Sequence, residues 1–119
     1  MLRMLSLRLS GRCMFKKSRH ANELPIPDAA HLDNEATEII RFWIAQGNAN
    51  IAVNPITNPN ATAGVLWGVL LADIARHAAN ALVQTGVADS SKGLINEMTT
   101  TFLNELDFKR DVTGKVLDN

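Results

Sequence analysis

From Glu35 to Gln46 the large apolar residues Ile39, Ile40, Trp43 and Ile44 recur at steps of three and four, which predicts a helix with one apolar face. Asp33 or Asn34 is placed to cap it, Glu35 and Glu38 stand in its first turns, and Gly47 closes it. At Asn48 the period changes to two. Ala49, Ile51 and Val53 alternate with Asn48, Asn50 and Asn54, the pattern of a short strand with one buried face. The stretch "NPITNPN" that follows is a loop, because each Asn-Pro favours a turn and removes a backbone donor. A second helix is expected from Thr62 or Ala63 to Thr85, with Gly86 just past its end, and its apolar residues nearly encircle its first half. After "VADSSKG", with Asp89 or Ser90 as cap, a third helix places Leu94, Ile95, Met98, Phe102 and Leu106 on one side. The polar end, "DFKRDVTGKVLDN", either forms a second short strand through residues 112–117 or frays.

These elements predict a small single α+β domain over residues 21–108, in the order α-β-α-α, mostly helical with one or two short strands. Residues 109–119 are then a polar C-terminal tail or a short strand. "NELPIPDAAH", with two prolines one residue apart, should run extended ahead of the first helix. A lone strand leaves a row of backbone donors and acceptors unpaired. Residues 48–54 are therefore expected to pair with the same strand of a second copy across a two-fold axis, making a homodimer. The rival is pairing within the chain, to residues 112–117 or to "ELPIP".

The chain has 119 residues, the size of one ordinary domain, and its 46% hydrophobic content is too high for a disordered protein. Its twelve basic and twelve acidic residues balance, but unevenly. Arg3, Arg8, Arg12, Lys16, Lys17 and Arg19 lie in residues 1–20 without an acid among them, so residues 21–119 hold six bases against twelve acids, a net −6. A body of that sign has no electrostatic reason to seek nucleic acid or anionic lipid. The basic extension, residues 1–20, stands outside the expected fold. It reads as translation from an upstream start, with Met14 the natural beginning, or as an organellar presequence or interfacial helix. A single cysteine, Cys13, excludes an intrachain disulfide and a cysteine metal cage. No transmembrane segment is expected, since no apolar run approaches the ~18 residues of a membrane span.

The candidate chemistry lies in "GVLLADIARHAANAL", residues 68–82. At 100° per residue Asp73, Arg76, His77, Asn80 and Gln84 share one stripe of the second helix. Asp73 and His77, four residues apart, could pair as a catalytic acid and base, with Arg76 and Asn80 as ligand-binding candidates. The simpler reading is a solvated helix edge. No third ligand has metal spacing, His20 and His31 being placed elsewhere, so no metal and no cofactor are expected. Gly64, Gly68, Ala72, Ala75 and Ala79 form a seam of small residues suited to close helix packing. Each internal glycine costs roughly 0.5–1 kcal/mol against alanine, which close packing would offset. No nucleotide-binding, nucleophile-elbow or zinc-protease motif is present, and Asn60-Ala-Thr62 is a glycosylation sequon by chance.

"NELPIPDAA", "EIIRFWIAQG" and "GVLLADIARHAANAL" together resemble a family of short, mostly alphaproteobacterial proteins known only as a domain of unknown function, over about residues 20–107. The resemblance implies a bacterial, cytoplasmic protein that begins near the proline-rich segment. It matches the family's Asp, Arg and His to Asp73, Arg76 and His77 without giving them a role. Residues and resemblance together favour a non-enzymatic interaction or scaffold module over a small enzyme or ligand-binding protein using Asp73 and His77.

Overall fold

Two adjacent residues with positive φ, Gln46 at 54° and Gly47 at 77°, decide the first half of the domain. They form the two-residue loop of a β-hairpin, the turn whose backbone twist matches that of the flanking strands. Strand β1, Ile40–Ala45, enters it and β2, Asn48–Val53, leaves it. The two pair antiparallel from Ile40 opposite Val53 to Ala45 opposite Asn48. The helix expected over Glu35–Gln46 does not form; Ile40–Ala45 is a strand, residues 35–39 are turn and irregular backbone, and the element order is α-β-β-α-α-β. The reason is physical. Ile40, Phe42 and Ile44 also alternate, and β-branched and aromatic side chains suit a pleated surface better than a helix. The turn then brings the new strand straight back onto its neighbour.

The protein, in a computed structural model, is described over residues 19–107 and 113–117. The basic extension up to residue 18, with Cys13 and Met14, lies outside the described residues, as do residues 108–112. The chain divides at Thr37 into two units. In the first, the proline-rich segment leads into a single helical turn, α1, Asp28–His31. Pro27 stands at its N-cap and accepts from the Ala30 amide at 3.0 Å.

The second unit, from Glu38 onward, carries a three-stranded sheet and a helical hairpin. Strand β3, Thr113–Val116, adds parallel to β2, so the sheet order is β1-β2-β3. The 112–117 segment thus pairs within the chain. That corrects the dimer argument made from the lone strand: β2 has a neighbour on both sides and no free edge for a second copy. Gly114 fits beside β2 because a Cβ there would fall on the Ile51 carbonyl oxygen.

Helix α2, Ala63–Gln84, starts where Thr62 Oγ1 accepts from the Val65 amide at 3.3 Å. Its end is closed at Gly86, φ 81°, where the Val87 and Gly86 amides donate to the Leu82 and Val83 carbonyls. Helix α3, Ser91–Leu106, is capped by Ser90, whose Oγ accepts from the Gly93 amide at 3.1 Å. The hairpin packs near its loop: Ala79 is fully buried, and Ala75, Ala78, Val83, Leu94, Ile95 and Met98 are half-buried. No described helix is long and apolar enough to cross a membrane.

Candidate functional site

Asp73, Arg76, His77 and Asn80 all lie exposed on one stripe of α2. Asp73 Oδ1 accepts from Arg76 Nη2, three residues on, and both side chains remain 60% exposed. The expected Asp73–His77 partnership is thus replaced by Asp73–Arg76. A permanently charged, forked guanidinium on a long stem reaches the carboxylate more readily than an imidazole does. An exposed pair of this kind contributes a few tenths of a kcal/mol. It is helix-surface chemistry, with no enclosing wall around it.

The small-residue seam is open within the chain. A Cβ at Gly64 or at Gly68 would meet nothing within 4 Å. Ala72 is exposed, Ala75 is half-buried, and Ala79 is the residue that reaches the α2–α3 contact. Among the described residues only the lower end of the seam therefore packs against another part of the chain.

The sheet sorts its residues by face. Paired positions lie on the same face and successive ones alternate. The register therefore puts Ile40, Phe42, Ile44, Ala49, Ile51, Val53 and Val116 together on one side. The other side carries Arg41, Trp43, Asn48, Asn50, Ala52 and Lys115. Asn50 donates its side-chain amide to the Ala45 and Asn48 carbonyls, tying the hairpin end. Arg41 donates to both carboxylate oxygens of Glu38, at 2.8 and 3.2 Å. Beside this pair a shallow, open depression of about 370 Å³ crosses the three strands, lined by Glu38, Arg41, Ala52 and Lys115 among others. In register, Arg41 and Lys115 flank Ala52.

The apolar face is the larger feature, with Ile40, Ala49, Ile51 and Val53 half-buried and its other large side chains open. Phe42 is 58% exposed, Ile44 72% and Val116 66%. Among the described residues no Cα of α2 or α3 lies within 8 Å of a strand Cα. The far end of the helical hairpin is also open: Val65 and Val69 on α2, and Phe102, Leu103 and Leu106 on α3, are all exposed. The reading of Ile39, Ile40, Trp43 and Ile44 as one helix face hid this surface. The alternation Ile40, Phe42, Ile44 was the signal that could have found it. No group of three or more His, Cys, Asp or Glu side chains among the described residues could hold a metal ion.

Compared with known proteins, the family described as Domain of unknown function (DUF5076) matches residues 23–110. No curated protein matches the chain. A solved structure from the photosynthetic bacterium Rhodopseudomonas palustrus CGA009, provisionally named a pyruvate dehydrogenase, is similar at 26% identity and a TM-score of 0.54. The similarity covers 73% of this chain and 95% of that one.

Proposed function

The chain belongs to the DUF5076 family, and from that premise we propose that it is a non-enzymatic interaction module that works as a homodimer in the bacterial cytoplasm. One observation carries the reading. Ala79 is the only fully buried hydrophobic residue described, while large apolar side chains stay exposed on the sheet and on both helices. Ordering a residue's backbone costs roughly 1–2 kcal/mol, and one buried alanine with a half-buried surround offsets little of that. On this reading, association supplies the burial that the described residues lack. This makes contact with another protein surface a condition of stability and gives the module its role.

The rival reading, a small enzyme or ligand-binding protein built on Asp73 and His77 with Arg76 and Asn80, has less behind it. That stripe is solvated, and its carboxylate is engaged by a neighbour on the same helix. The pyruvate dehydrogenase activity in the name of the related structure belongs to that protein's name alone.

Light scattering on the eluting protein at micromolar concentration tests the proposal. The expected mass is twice that of the chain. A strict monomer across the accessible range of concentrations would refute the homodimer.

A further inference from the structure

We propose that the dimer forms by reciprocal exchange of layers, the uncovered sheet face of each copy receiving the open end of the other copy's helical hairpin. This rests on the homodimer reading and adds to it which surfaces meet. In a two-layer α+β domain the apolar face of a sheet is buried against the apolar stripe of helices. This chain has both surfaces, and among the described residues their meeting is limited: Trp67 Nε1 of α2 donates to the Ile56 carbonyl, just past β2, at 3.0 Å. The sheet offers Phe42, Ile44 and Val116, and no helix Cα comes within 8 Å of a strand Cα. The hairpin packs at its loop end around Ala79; at the other end Leu66, Trp67 and Leu70 are half-buried, while Val65 is 60% and Leu106 65% exposed.

The area favours a second copy as the occupant, and charge does not oppose it. The two patches together expose eight large apolar side chains, each half to three-quarters open, on the order of several hundred Å² of apolar surface. Taken together this is of the order of the ~800 Å² each partner gives to a standard interface. The sheet patch alone supplies less than half of it. Face-to-face pairing of two sheets would therefore leave the helix ends uncovered, whereas the exchange covers both patches on both copies. The apolar sheet face carries no ionisable residue, so a helix of either charge can approach it. The opposite face bears Arg41 and Lys115 and is unsuited to burial.

Around a two-fold axis the exchange makes two identical sheet–helix contacts, and this gives it a specific test. Ile44→Glu places a charge in the sheet half of both contacts, and Leu106→Lys in the helix half of both. Each variant alone is expected to elute at the mass of one chain. In an equimolar mixture the two can form a heterodimer in which one contact is entirely native and the other joins Glu to Lys. Light scattering should then recover the mass of two chains, and native mass spectrometry should find one of each variant in it. If the unaltered protein is dimeric and Ile44→Glu remains fully dimeric, the sheet face is not the interface, and the exchange fails while the homodimer stands. If both variants are monomeric and their mixture stays so, the pairing of sheet with helix is overturned. If the unaltered chain is a monomer, the homodimer fails first. Should a charged variant not fold, Ile44→Ala and Leu106→Ala are expected to raise the dimer dissociation constant on the order of tenfold or more. No change in either one overturns the exchange.

Discussion

Gln46 occupies a backbone conformation, φ 54°, that side chains bearing a Cβ adopt only at a cost. The left-handed region is disfavoured by roughly 1–2 kcal/mol for most L-residues, and asparagine tolerates it better because its short amide can bond locally. The hairpin therefore carries a small strain at its tip, which Gly47, also at positive φ, does not share. Gln46→Asn should relieve part of it, raising stability by about 0.5–1 kcal/mol in chemical denaturation at fixed protein concentration. A loss of stability would show that the Gln46 side chain makes a contact worth more than the strain. This turn is also where the sequence was hardest to read. "QG" has neither the Asn-Gly nor the Asp-Gly form that marks such a loop, so Gly47 passed equally well for the end of a helix.

Among the elements, α2 and α3 were legible because their apolar spacing runs over 22 and 16 residues and each begins at a side-chain cap, Thr62 and Ser90. Strand β2 was legible from Ala49, Ile51 and Val53 recurring at every second position between asparagines. Strand β1 was not: over six residues, Ile40, Trp43 and Ile44 satisfy a helical step while Ile40, Phe42 and Ile44 satisfy a strand step. Only pairing with β2 chooses between them, and pairing is a tertiary event that no local period records. The polar stripe of α2 was legible as a solvated face, though not which residue Asp73 would engage. Its energetics can be measured directly. Asp73→Asn, Arg76→Gln and His77→Gln should each change stability by no more than about 0.5–1 kcal/mol, as exposed helix positions do. A double-mutant cycle should give a coupling below roughly 0.5 kcal/mol for Asp73–Arg76. A coupling above about 1 kcal/mol for Asp73 with either Arg76 or His77 would mean the stripe is covered in the assembled protein, and would revive the ligand-site reading.

At the scale of the whole molecule, the proposed homodimer would join folding to association, each chain's burial being completed by its partner. Unfolding then takes one native dimer to two chains, and mass action makes the thermal midpoint depend on concentration. A tenfold rise in protein concentration adds about 1.4 kcal/mol to the apparent stability of the dimer. Spread over the unfolding entropy of two such domains, this corresponds to an upward shift of about 2–4 °C. Circular dichroism melts at three concentrations spanning a hundredfold should therefore move by about twice that amount. Leu106→Lys should melt lower and with a midpoint indifferent to concentration, because the step that couples folding to association has been removed. A midpoint independent of concentration in the unaltered protein would have one of two causes. Either the dimer would be separating before it unfolds, or the chain would be stable alone. Dilution followed by light scattering tells the two apart, since only the first starts from a dimer. In the second case the exposed Phe42, Ile44 and Leu106 would not be needed for stability, and the apolar sheet face would be free to serve a different protein.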